Sequence, residues 1–176
     1  MLSAFTDREK FPVLPGEIES YDETAQYNLG SWEGNPLDMF SAIVCGINVE
    51  NVVITGEGTI DGCTNFENWW KNCKVRDTAW RPRLFFINHC KNVMMHGITV
   101  QNSPSWTIHP YFSEHLKFID VKIKNPANSH NTDGLDPEAV QTYWCLVRIF
   151  LSVMTALQLS PVKFIWQKNI RCQLPI

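Results

Sequence analysis

The densest run of side chains able to do chemistry is Ser129-His130-Asn131-Thr132-Asp133-Gly134-Leu135-Asp136-Pro137-Glu138. Positioned carboxyl groups are common instruments of general acid–base catalysis. The same text also has a plain structural reading. Asn-Thr-Asp-Gly taken alone is an Asx-type turn between strands, because Asn and Asp hydrogen-bond their own backbone and Gly accepts a positive φ. Other chemistries find less support. The six cysteines (Cys45, Cys63, Cys73, Cys90, Cys145, Cys172) form no C-x-x-C, and the five histidines (His89, His96, His109, His115, His130) form no H-x-x-x-H. No zinc site, no other metal and no cofactor is expected, and the cysteines read as buried thiols acting as small hydrophobes.

The elements that must carry this run are set by the rest of the chain. At 176 residues the protein has room for one domain with a substantial core. Apolar residues make up 44% and charged residues 19%, which excludes wholesale disorder. A net charge of −3 leaves no basic footprint for nucleic acid. That average conceals a break. All 9 glycines and all 18 acidic residues precede residue 140, and the remainder carries only Arg148, Lys163, Lys168 and Arg171. The first twenty residues mix Asp7, Arg8, Glu9 and Lys10 with prolines and contain no apolar signal-peptide core.

Residues 1–40, rich in Pro, Gly, Glu and Asn, read as an irregular segment of the same domain. From Ser41 onward, short alternating segments begin. Asn51–Gly56, Asn92–Gly97 and His115–Asp120 superimpose, with apolar residues at their second and fourth positions. Each is followed by a second short strand, Gly58–Ile60, Ile98–Val100 and Val121–Ile123, and a small residue closes each unit at Gly62, Asn102 and Asn125. The second and third copies lie 23 residues apart. The first and second lie 41 apart, the surplus being the aromatic stretch 65–81, which reads as a loop insertion. Such a repeat suits a parallel β-helix over residues 41–139, in which each coil stacks on the next at about 4.8 Å. A β-sandwich would need hairpin turns between well-formed strands. Asp61-Gly62 and Asp133-Gly134 do not join such strands.

In this setting the Asn131-Thr132-Asp133-Gly134-Leu135-Asp136 run resembles the first signature of glycoside hydrolase family 28, the polygalacturonases and their relatives. Asn51-Val-Val-Ile-Thr-Gly-Glu-Gly-Thr-Ile-Asp-Gly62, Trp69-Trp70, Arg81-Pro-Arg-Leu84 and Asn102-Ser-Pro-Ser-Trp-Thr-Ile-His-Pro110 resemble the same family in the same order. The resemblance spans roughly residues 10–139 and is strongest to the bacterial exo-acting polygalacturonases. It implies an all-β fold, a right-handed parallel β-helix, that is N-terminally incomplete here. It implies inverting hydrolysis of α-1,4-linked galacturonic acid in pectin or oligogalacturonides, without cofactor, by a monomer located outside the cell or in the periplasm. The absence of a visible signal peptide leaves a cytoplasmic location open.

By resemblance Asp133 is catalytic and Asn131 binds substrate. An inverting pair needs one carboxyl to protonate the leaving oxygen and another to activate water, about 6.5–9.5 Å apart. Carboxylates on neighbouring coils repel, so one can keep its proton. A repeat of about 22 residues places His109 beneath Asn131 and Tyr111 beneath Asp133. His109 and Tyr111 share a strand face by their i, i+2 spacing and are expected to line the groove. Arg83 could pair with a galacturonate carboxylate, although a solvated surface arginine is its ordinary alternative.

The family's further signatures, D-D, G-H-G and R-I-K, do not follow. One coil beyond Asp133, Met154 and Thr155 stand where D-D is expected. Read one nucleotide earlier, the codons for Leu151–Pro161 permit Ser-Val-Gly-[Asp/Asn]-Asp-Cys-Ile-Ala-Ile-Lys-Ser, and those for Thr142–Leu146 permit Asn-Val-Leu-Val-Leu. Residues 140–176 therefore read as an out-of-frame tail of unspecified structure, and the chain as an inactive fragment. A membrane span over Tyr143–Leu159 is interrupted by Arg148 and falls short of the roughly 20 apolar residues needed. Two other functions remain open: a pectate-lyase-like enzyme, for which no cluster of acids suited to calcium is visible, and a non-catalytic carbohydrate-binding β-helix.

Overall fold

A computed structural model describes residues 1–16, 29–150 and 170–172. The strands, in chain order, are β1 (Leu2–Ser3), β2 (Val13–Leu14), β3 (Met39–Phe40), β4 (Val44–Ile47), β5 (Glu50–Thr55), β6 (Thr59–Asp61), β7 (Phe85–Asn88), β8 (Lys91–His96), β9 (Thr99–Gln101), β10 (Ile108–Tyr111), β11 (Glu114–Lys124), β12 (Gln141–Phe150) and β13 (Ile170–Cys172). The only helical element among the described residues is the 3-10 turn Arg8–Lys10.

The coils follow the repeat read in the sequence. β4, β5 and β6 make one turn of the solenoid, and β7, β8 and β9 stack on them in parallel. β10 and β11 form the next turn, with the two short strands of earlier coils fused into the single strand β11. β12 then stacks on β11 in parallel from Gln141 to Phe150. The pairing thus runs past residue 139, into the segment whose composition sets it apart. Positions 154 and 155, like most of that segment, lie outside the described residues.

Strand alternation explains the core. Every second residue points inward, so equivalent positions pile into columns. Val52, Val93, Leu116 and Tyr143 form one column by register, and Val44, Phe85 and Ile108 form another that Leu135 continues. These side chains belong to, or pack against, one continuous apolar cluster.

The corners use positive φ. Asn51, Asn92, His115 and Thr142 occupy the same register position on successive coils, with φ of 59°, 54°, 55° and 51°. A left-handed residue turns the strand while its neighbours keep their ladder bonds, and asparagine tolerates that conformation best among residues with a side chain. Asn92 Nδ2 also donates to Asn51 Oδ1 at 3.0 Å, so the corner carries a side-chain ladder as well.

The irregular N-terminal segment covers one outer face. β2 and β3 pair antiparallel, and Leu14, Met39 and Ala42 pack against Phe86 and Tyr111 on the outside of the β4–β7–β10 sheet. The insertion at 65–81 stays outside the coils as turns and bridges, and its Trp69 is buried against Phe40 and Ala79.

Candidate active site

The Asn-Thr-Asp turn sits at the entrance to the last stretch of the β4–β7–β10 face, and its backbone is pinned from below. Thr107 N–H donates to the Asp133 carbonyl at 2.8 Å, and Ile108 N–H to that of Gly134 at 3.1 Å. Asn125 Nδ2 donates to Thr107 Oγ1 at 2.8 Å and to the Thr132 carbonyl at 3.0 Å, tying the turn to the coil beneath it. Asn131 has φ of 54°. Its side-chain oxygen accepts from Arg81 Nη2 at 3.1 Å, while Arg81 Nη1 donates to the His130 carbonyl at 3.1 Å.

Beyond the turn, Leu135 points into the core whereas Asp136 and Glu138 face outward, by the same alternation that turns His109 and Tyr111 outward one coil below. Here a buried polar network replaces the usual apolar packing. Arg83 is fully buried. It donates from Nε to His109 Nδ1 at 3.2 Å, from Nη1 to Ser105 Oγ at 2.8 Å and from Nη2 to the Ser31 carbonyl at 3.1 Å. Its guanidinium lies 4.3 Å from the ring centre of Trp32 and 4.4 Å from that of Trp106. Burial pushes its pKa down to about 9, which still leaves it cationic at neutral pH.

Arginine can only donate, so His109 Nδ1 must be an acceptor and the imidazole proton sits on Nε2. Nε2 then donates to Glu138 Oε2 at 3.0 Å. Burial lowers the His109 pKa, so this contact joins a neutral imidazole to a carboxylate. Ser31 Oγ donates to the same oxygen at 2.8 Å. Burial alone would raise the Glu138 pKa, but the bonds from His109 and Ser31, with the Arg83 charge, bring it below the usual glutamate range.

The two aspartates behave differently. Burial raises the Asp133 pKa; the nearby Arg83 charge opposes that rise and Glu33 adds to it. Asp136 is fully buried, and neither carboxyl oxygen has a hydrogen-bond partner among the described residues. Burial, then repulsion from Asp133 and Glu138, carries its pKa well above the usual aspartate range against the pull of Arg83. The turn thus joins two mutually repelling carboxyl groups to one buried cation. Such an arrangement can keep one carboxyl protonated beside another that ionises.

The expected stacking requires correction. His109 does not lie beneath Asn131, nor Tyr111 beneath Asp133. Ile108 pairs with Leu135 and Tyr111 with Glu138, so this coil is 27 residues long where the coil before it is 23. The extra residues are the turns of the 125–133 loop. Arg83 and His109 meet directly. Tyr111 is buried against His109 and Phe86, with ring centres 5.9 and 6.2 Å away. The surface alternative for Arg83 is excluded by its complete burial. The sequence reading missed the parts played by Asp136, Glu138, Ser31 and Trp32. Outward alternation from Leu135 could have flagged the two acids, but nothing local marks Ser31. Among the described residues no cluster of His, Cys, Asp or Glu is suited to a metal ion, and no helix is long and apolar enough to cross a membrane.

Residues 20–143 match the family model described as Glycosyl hydrolases family 28. The chain belongs to that family. A probable polygalacturonase of Vitis vinifera is 34% identical over 104 residues, covering 57% of this chain and 20% of that protein. An endo-polygalacturonase of Pectobacterium parmentieri is 34% identical over 108 residues, covering 54% of this chain and 26% of that protein. This family 28 chain therefore spans a fifth to a quarter of those relatives. Among solved structures, a hyperthermoactive exopolygalacturonase from Thermotoga maritima matches with a TM-score of 0.63 at 21% identity, over 84% of this chain and 38% of that one. A polygalacturonase from Erwinia carotovora ssp. carotovora gives 0.59 at 23%, over 83% and 38%. Both likenesses bear on the fold, the right-handed parallel β-helix of family 28.

Proposed function

We propose that this family 28 chain is part of a pectin-degrading enzyme that hydrolyses α-1,4-galacturonosyl bonds with inversion. The observation that carries the reading is the placement of Asp133, on a pinned turn, buried beside Asp136 and Arg83. In this reading Asp133 is one member of the catalytic carboxyl set. Its partners come from the following coil, the acid pair of the alternative reading frame at positions 154–155. Asn131, partly exposed and oriented by Arg81, faces the sugar. His109, Arg83 and Tyr111 act from behind the surface, since all three are buried. The substrate reaches the enzyme outside the cytoplasm, where pectin is found.

The chain as written lacks the second carboxyl of an inverting pair in its signature context, so a purified preparation is expected to release no reducing ends from polygalacturonate. Restoring the alternative frame near codon 140 and continuing downstream should give an active hydrolase. Asp133→Asn in that enzyme should lower kcat by about a hundredfold or more, as expected for loss of a proton-transfer group. Full activity in Asp133→Asn would remove that residue from the mechanism. A downstream frame without D-D, G-H-G and R-I-K would remove the repair itself.

A carbohydrate-binding role is the second reading, and it applies to the chain as written, where substrate contacts can survive without turnover. Retention on a polygalacturonate matrix with no product formed would favour it.

A further inference from the structure

We propose that His109 is a positioning residue, a neutral imidazole that with Glu138 and Ser31 fixes the orientation of the buried Arg83 guanidinium in the coils beneath the Asn-Thr-Asp turn. The inference rests on the catalytic reading of Asp133 for its purpose, but its geometry stands independently. All three kinds of Arg83 donor are committed: Nε to His109, Nη1 to Ser105 and Nη2 to the Ser31 carbonyl. A guanidinium is planar and its donors are fixed relative to one another, so three acceptors, two on the 105–109 stretch and one on the N-terminal segment, define its orientation. Of those acceptors, only the imidazole can change character.

A neutral imidazole presents either nitrogen as acceptor, and a protonated one presents neither. Glu138 decides between these states. Its Oε2 lies 3.0 Å from Nε2 and accepts the hydrogen bond from the proton held there, which leaves the Nδ1 lone pair for Arg83. Ser31 fixes that oxygen by donating to it at 2.8 Å, and the same residue's carbonyl receives Arg83. Ser31 therefore grips both ends of the relay, and the N-terminal segment is a working wall of the site. The charges that act on the pair are Arg83, Glu138 and Glu33, Arg81 is held against the neighbouring His130 and Asn131, and Arg83 is the cation whose pull opposes protonation of both aspartates. A small rotation of that cation changes how strongly it opposes protonation of Asp133.

The test uses the chain Met1–Ile176 and needs no turnover. Long-range proton–nitrogen spectra of histidine-labelled protein should show His109 as the Nε2–H tautomer, unchanged between about pH 5 and pH 8, the span over which an ordinary histidine titrates. Carbon-13 titration of Asp133 should show its midpoint moving upward in His109→Phe, where the guanidinium loses the acceptor that orients it. The midpoint should not rise in Glu138→Gln, which keeps a carbonyl acceptor for Nε2 and removes one of the negative charges that act on the pair. An Nδ1–H tautomer, or a His109 that titrates in this range, overturns the proposal in the unmodified protein, whatever the variants do. So does an unmoved Asp133 midpoint in a His109→Phe protein that retains a cooperative melt. If the frame-restored enzyme proves indifferent to Asp133→Asn while the tautomer result holds, the catalytic reading fails and the positioning relay survives it.

Discussion

At residue scale, the site is a compromise between burial and charge. Neither carboxyl oxygen of Asp136 has a hydrogen-bond partner among the described residues, yet the side chain is fully enclosed. An acid whose folded pKa lies above its unfolded value binds its proton more tightly when folded. Its contribution to stability is present below the ordinary aspartate value and is lost as pH rises through the raised one. Asp133 acts in the same sense. Glu138 acts in the opposite sense, since its pKa is lowered and its contribution is lost as pH falls. The aspartates therefore predict a melting temperature that declines as pH rises from the ordinary aspartate value of about 4. Asp136→Asn should flatten that decline and melt higher than the unmodified chain at neutral pH. Thermal melts of the two proteins across this range check it, and parallel curves would show that Asp136 ionises without cost.

At the scale of elements, the solenoid's corners carry a testable energy. Asn92 holds φ of 54° and bonds Asn51 at 3.0 Å. Asn92→Ala removes the bond and leaves a residue poorly suited to the left-handed region. Together these should cost about 1–3 kcal/mol. Asn92→Gly loses the same bond but relieves the backbone, and should cost less than the alanine variant. Urea denaturation of both variants separates the two contributions, and equal losses would mean that backbone conformation is not what asparagine provides there. The ladder also bears on the alternative frame. Thr142 stands in register with Asn51 and Asn92, and the shifted reading permits asparagine at that position.

At the scale of the whole molecule, a solenoid needs its ends covered, because each coil is stable only against its neighbours. Among the described residues the tail adds over β12 only the three-residue parallel strand β13, and in the reading proposed here it cannot supply a native next coil. The chain as written is expected to elute from size exclusion as soluble oligomers of folded copies joined at that open end, and the frame-restored protein as a monomer. A monodisperse monomer of Met1–Ile176 would mean that residues after 139 cap the fold as they stand.

How much of this was legible in the sequence follows from where each interaction lies along the chain. The repeat Asn51, Asn92, His115, the second strands and the loop insertion at 65–81 were readable because alternation and corner residues are local signals. They predict coil, core face and turn before any coordinates. The Asn-Thr-Asp turn and its family resemblance were local too. The stacking of His109 and Tyr111 was misread because the 125–133 loop makes its coil longer than the preceding one, and period alone does not report a loop's length. The relay from Ser31 through Glu138 and His109 to Arg83 joins residues separated by up to 107 positions. No periodicity marks such a contact. It exists because the N-terminal segment folds back over the outer face of the β4–β7–β10 sheet, and there only enclosure by Trp32 and Trp106 turns a surface arginine into a buried one.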